Sequence, residues 1–179
     1  TVKPTASPEF RLRLSQGTQR PETAYVLTAA DFQVIGVEPT GRRLVFSLEC
    51  AARQLALRVE FELAPDDFYL HKRLVLSSAA PVTLERVDVE ALSLEDSYQP
   101  YTVRAITANA PGRWSPGLGQ PLYGSKSATF WGVEFPASDN LVKDNLLLSG
   151  YLWGRQLQPG TPYKTYLAVM GVADDAAFI

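Results

Sequence analysis

Between Leu55 and Leu63 apolar and polar side chains alternate without a break, with Leu55, Leu57, Val59, Phe61 and Leu63 on one parity and Ala56, Arg58, Glu60 and Glu62 on the other. Successive side chains of an extended chain point to opposite faces, so one face of this run suits a core and the other suits water. The period recurs in Phe10, Leu12 and Leu14 against Arg11 and Arg13, and in Leu44, Phe46 and Leu48 against Val45, Ser47 and Glu49. It recurs again in Phe68, Leu70, Leu74 and Leu76, where Lys72 interrupts, and in Thr129, Trp131, Val133 and Phe135 against Phe130, Gly132 and Glu134. Further extended runs cover Ala24 to Leu27, Phe32 to Val37, Leu146 to Trp153 and Tyr163 to Val172. No helical period longer than two turns competes. The pattern predicts an all-β chain folded as an antiparallel two-sheet β-sandwich with few short helices.

Turn residues punctuate these runs at Glu38-Pro-Thr-Gly41, Pro65-Asp-Asp67 and Gln158-Pro-Gly-Thr-Pro162. Between Val82 and Leu92 the apolar phase slips, because Val82 and Leu84 share one parity and Val87 and Val89 the other. One extra residue near Glu85 and Arg86 restores a common inner face, which predicts a β-bulge. Gly132, following two aromatic residues, leaves a gap on the outer face where a backbone or a ligand can approach closely.

The chain has 179 residues, enough for a single domain with a sizeable core. A formal net charge of -2 gives no reason to expect a nucleic-acid partner. No apolar run approaches the roughly 20 residues that a membrane-spanning helix needs. Cys50 is the only cysteine, which excludes an intrachain disulfide, CxxC redox chemistry and a Cys-rich zinc site, and leaves both a secreted and a cytoplasmic bacterial address open. The chain begins at Thr1 and holds one methionine, Met170, so excision from a longer precursor is expected. Residues 173–179, with Asp174 or Asp175 as cap, read as the start of a linker helix that continues in the parent. The single domain thus reads as the N-terminal part of a longer chain.

Residues 93–126 stand apart as a long loop region. They carry Pro100, Pro111, Pro116 and Pro121, four glycines, and a short extended piece at Tyr101 to Ile106. Loops of this length are often functional or interfacial.

The succession of Leu70-His-Lys-Arg-Leu-Val-Leu76, Val82-Thr-Leu-Glu-Arg-Val87, Gly117-Leu-Gly-Gln-Pro-Leu-Tyr123 and Phe130-Trp-Gly-Val-Glu-Phe-Pro136 resembles the N-terminal supersandwich, galactose mutarotase-like β-domain of α-galactosidase-like glycoside hydrolases. That resemblance implies a non-catalytic domain that packs on the C-terminal catalytic barrel of the same chain and shapes its carbohydrate-binding edge. The family's catalytic carboxylates belong to the barrel, so the resemblance carries no catalytic residue onto this chain, and no metal or cofactor is expected. Mutarotase chemistry needs histidine and glutamate around the sugar ring, and His71 is the only histidine. The alternative is a stand-alone carbohydrate-binding module or lectin-like domain.

Sugars stack their CH faces on flat rings and give their hydroxyls to planar charged or amide groups. The candidates for carbohydrate or interdomain contact are Arg113, Trp114, Tyr123, Glu134, Asn140, Trp153 and Arg155. Asp139 and Asp144, near Glu134, read as solvated or turn-capping side chains, Trp131 as a core residue, and His71 as a strand-surface residue. Ser125 and Ser127 lack any nucleophile-elbow context.

Overall fold

The computed structural model describes residues 7–16, 24–93, 96–100, 119–124 and 126–172. In chain order the strands are β1 (Glu9–Ser15), β2 (Tyr25–Thr28), β3 (Gln33–Thr40), β4 (Arg43–Cys50), β5 (Leu55–Glu62), β6 (Tyr69–Ser78), β7 (Val82–Ser93), β8 (Tyr98–Pro100), β9 (Leu122–Gly124), β10 (Thr129–Val133), β11 (Asp139–Lys143), β12 (Leu146–Leu157), β13 (Tyr163–Lys164) and β14 (Ala168–Val172). Among the described residues the helical turns are the short 3-10 pieces Ala29–Asp31 and Ala51–Arg53. A smaller sheet runs β11-β12-β7-β1-β2, and a larger one runs β3-β4-β5-β6-β14-β10-β9-β8 with β13 also on β6. The sandwich expected from the alternating pattern is therefore the fold.

The inner faces meet in one core, where Phe10, Leu12, Leu14, Leu84 and Val87 of the smaller sheet pack with Leu55, Leu57, Val59, Leu74 and Leu76 of the larger. A satellite cluster joins Leu92, Leu122, Trp131 and Leu147, which seats Trp131 inside as expected. Lys72, the polar break in the β6 pattern, stays in phase with its neighbours. It points into the sandwich and meets Glu90 at 2.8 Å, both side chains being 2% exposed.

The bulge expected in β7 is present, since Arg13 faces Arg86 while Leu14 faces Leu84, leaving Glu85 extra. A second one sits at Val89, because Ser149 faces Glu90 while Gly150 faces Asp88. Two boundaries differ from the sequence reading. β3 runs through Glu38 and Pro39 to Thr40, which a proline tolerates on an edge strand, and the turn shrinks to Gly41 and Arg42. The run from Tyr163 to Val172 is split, because the Thr165 hydroxyl accepts the Leu74 N–H at 3.0 Å in place of a ladder bond, while the Thr165 N–H donates to the Leu74 carbonyl.

Part of the 93–126 region belongs to the larger sheet, as β8 and β9 are its last two strands. The extended piece at 101–106, Arg113, Trp114 and the 173–179 helix lie outside the described residues. At the opposite edge, Val34 faces Leu48 and Val37 faces Phe46, so both valines point to the core side. They nevertheless remain 54% and 51% exposed. The larger sheet overhangs the smaller one there, and its apolar inner face is only partly covered.

Candidate functional site

The outer face of the larger sheet carries a cross-strand row that reads Tyr69, Gly171, Phe130, Tyr123, Gln99 over β6, β14, β10, β9 and β8. Side chains opposite one another in antiparallel strands stand on the same face, so the row forms one surface. Gly171 makes it flat. A Cβ there would collide with the ring of Phe130, which lies across the glycine with its centroid 6.5 Å from that of Tyr69. Phe68 extends the strip, 5.3 Å from Tyr69 and 71% exposed. At the far end the Gln99 amide donates to the Tyr123 hydroxyl at 2.6 Å.

A polar edge borders these rings. His71 follows Tyr69 on the same face of β6 with ring centroids 5.0 Å apart, and its Nε2 is 3.3 Å from Glu134 Oε1. Glu134 stands exposed just past the end of β10. Gly132 does admit a close neighbour, since a Cβ would press on Pro121 at 3.3 Å. Farther along the face Glu60 accepts from Arg73 at 2.7 Å and lies 3.1 Å from Arg58 and 3.3 Å from Arg43. Burial pushes the Glu60 carboxyl up, but the three guanidiniums together outweigh it and hold the group below the ordinary carboxylate range. Rings beside a carboxylate and an imidazole offer a stacking platform with hydrogen-bond partners for hydroxyl groups.

The remaining candidates lie elsewhere. Asn140 is buried, and its Nδ2 donates to the Gln120 carbonyl at 2.8 Å and to Ser138 Oγ at 3.1 Å. Trp153 is half-buried against the core, 4.8 Å from the Tyr163 ring, with the Arg155 guanidinium 4.8 Å over its own ring. Tyr163 in turn shares a 2.8 Å hydroxyl contact with the buried Tyr151. Burial, then that contact, pushes the Tyr163 hydroxyl far above its ordinary value, so it stays protonated. The structure thus brings Tyr123 and Glu134 to one face and sets Trp153 and Arg155 together in a second group. Asp144 and Asn145 form the β11–β12 turn with positive φ of 52° and 61°. Among the described residues no three His, Cys, Asp or Glu side chains group as a metal site.

Sequence reading passed over Phe68, Tyr69 and Phe130 as site residues. Their joining depends on β6, β14 and β10 becoming neighbours, pairings between segments roughly 40 to 100 residues apart in the chain. The usable signal was a pair of glycines, Gly132 and Gly171, on strands otherwise rich in large residues.

No protein-family model and no curated protein matches the chain. Among solved structures it is similar to the galactosidase domain of an α-galactosidase–sucrose kinase, with TM-score 0.50 and 8% identity, covering 89% of this chain and 29% of that one. It is also similar to a polysaccharide lyase, with TM-score 0.49 and 11% identity, covering 91% of this chain and 25% of that one. The chain therefore spans less than a third of either neighbour. The first likeness establishes a shared β-sandwich fold, and both neighbours are carbohydrate-active proteins.

Proposed function

We propose that the chain is an accessory β-sandwich domain of a larger carbohydrate-active enzyme of the α-galactosidase-like glycoside hydrolase kind, seated on a catalytic barrel and shaping its carbohydrate-binding edge. The observation that carries this reading is the overhang of the larger sheet. Val34 and Val37 point to the core side yet stay more than half exposed, and Ile35, the extra residue of the β3 bulge, is 59% exposed beside them. Apolar surface on an edge strand favours burial by a neighbouring element, and a domain packed along β3 supplies one. The fold shared with a galactosidase domain, over a part equal to 29% of that chain, supports a catalytic neighbour of that class.

The test is the reading frame downstream of Ile179. The expected finding is a glycoside-hydrolase domain whose thermal stability and activity fall when Val34→Lys and Val37→Lys are introduced. A frame that stops there, or a catalytic domain indifferent to both substitutions, refutes the packing.

A second reading, that the chain itself holds saccharide, is favoured by the row of Tyr69, Phe130 and Tyr123 with Glu134 at its border. The chain on either side of residues 101–118, which include Arg113 and Trp114, is anchored beside this row, with Pro100 facing Leu122 across the β8–β9 pair. Under this reading a neutral galacto-oligosaccharide binds, and Tyr69→Ala weakens it.

A further inference from the structure

The opposite side of the molecule, the outer face of the smaller sheet, holds a cavity of about 240 Å³. One row across the sheet reads Thr28, Arg11, Asp88, Gly150, Asp139, and the next reads Val26, Arg13, Arg86, Leu152. Gly150 carries no side chain between Asp88 and Asp139, and none fits, because a Cβ would run into the Val87 carbonyl and lie 2.6 Å from Asp88 Oδ1. The gap lets Arg86 span both acids, 2.7 Å from Asp88 Oδ1 and 2.8 Å from Asp139 Oδ2. Arg11 adds a 3.9 Å contact to Asp88, whose side chain is 3% exposed.

Both carboxylates are thereby occupied, and the cations are not exhausted. Arg13 and Lys143 also line the cavity, are exposed, and have no ion-pair partner among the described residues. The cavity thus carries a surplus of two positive charges on a chain whose formal net charge is -2. Its floor is apolar, with the buried Leu148 opposite Leu141. Pockets that engulf a whole small ligand run to roughly 300–1,000 Å³. A cavity of about 240 Å³ falls just below that range and suits a single sugar unit.

We propose that this groove binds an acidic saccharide, its apolar floor meeting a sugar face while Arg13 and Lys143 take the sugar's carboxylate or sulfate group. The inference rests on the carbohydrate reading above and concerns a different face from the Tyr69–Phe130 row. Guanidinium and ammonium groups make charge-assisted hydrogen bonds to such anions, and the Arg86 network holds the surrounding walls in place.

The test is calorimetric titration of the chain at low ionic strength with tetragalacturonate, a sulfated tetrasaccharide, neutral galactotetraose and tetraglutamate. The expected result is binding of one or both acidic sugars above the neutral one, weakened about tenfold or more by Arg13→Ala with Lys143→Ala, the scale of a lost charge-assisted contact. Melting temperature should hold, since both side chains are exposed and have no ion-pair partner among the described residues. Uronate and sulfate arms identify which acid group is read. Equal binding of the neutral sugar, tetraglutamate binding as tightly as either acidic sugar, or an unaffected double variant overturns the proposal. If no acidic sugar binds, the groove assignment fails while the accessory-domain reading stands or falls on the sequence past Ile179.

Discussion

Replacing Lys72 with methionine tests the account of the core at its most exposed assumption. Lys72 Nζ donates at 2.8 Å to Glu90 Oε2 across the two sheets and at 2.8 Å to the Glu9 carbonyl. Burial pushes the Glu90 carboxyl up, and the ammonium is what pulls it back. Lys72→Met keeps most of the side-chain volume but leaves a carboxylate inside with no countercharge, a loss of about 3–5 kcal/mol. With a urea slope of roughly 3 kcal/mol/M, the unfolding midpoint should fall by about 1–1.7 M at pH 7. The folded pKa of Glu90 then rises further above its unfolded value of roughly 4.3. A raised folded pKa means that stability is fully present below the unfolded pKa and is lost as pH rises through the folded one. The deficit against wild type should therefore be large at pH 7 and shrink toward pH 4. Lys72→Met with Glu90→Leu removes both charges and should return to within about 1 kcal/mol of wild type. A single variant that loses less than about 1 kcal/mol, or a double variant no better than the single, would refute the reasoning.

Glu60→Gln should cost about 1.5–3 kcal/mol at pH 7, since it strips the charge from an acceptor shared by three arginines. Because the Glu60 pKa is depressed, that advantage exists above the unfolded carboxyl value and is lost as pH falls through the folded one, so urea curves of variant and wild type should converge as pH falls below the ordinary carboxylate range; a constant gap contradicts the assignment. Gly150→Ala should abolish folding or cost at least about 3 kcal/mol, because the clash is with backbone. Gly41→Ala, with φ at 59° and open space around it, should cost only about 1–2 kcal/mol, and circular-dichroism melts of the two variants decide whether crowding or conformation governs each glycine.

Local alternation was enough to read β1, β4, β5 and β10 from sequence, because each turns every second, apolar side chain toward the facing sheet. The bulge at Glu85 was legible for the same reason, as a phase error in an otherwise regular inner face. The one at Val89 was not. Val87 and Val89 share a parity and are both buried, so the register reads as unbroken although a residue has been inserted. Sequence singled out Tyr123 as a ring of the long 93–126 region and Glu134 as an acid on an aromatic strand, and the fold puts both on one face. Tyr69 and His71 were not singled out, because their partnership with Phe130 and Glu134 is made by β14, which enters between β6 and β10 from the far end of the chain.

The inserted Val89 has the larger consequence. Asp88 and Glu90 are two residues apart, and in a regular strand both carboxylates would stand on one side of the sheet. Placing both inside would set two acids against the single Lys72; placing both outside would leave Lys72 buried with no acid from β7. The extra residue between them turns Glu90 inward to Lys72 and leaves Asp88 outward beneath Arg86 and Arg11. Gly150 on β12 registers with Asp88 on one side of the shift and Ser149 with Glu90 on the other, so the neighbouring strand gives the outer acid its room. One insertion thus assigns each acid to its own cation and separates what stabilises the core from what shapes the outer groove. It follows that substitutions at Arg13 and Lys143 should alter the groove without touching core stability, whereas those at Lys72 should do the reverse.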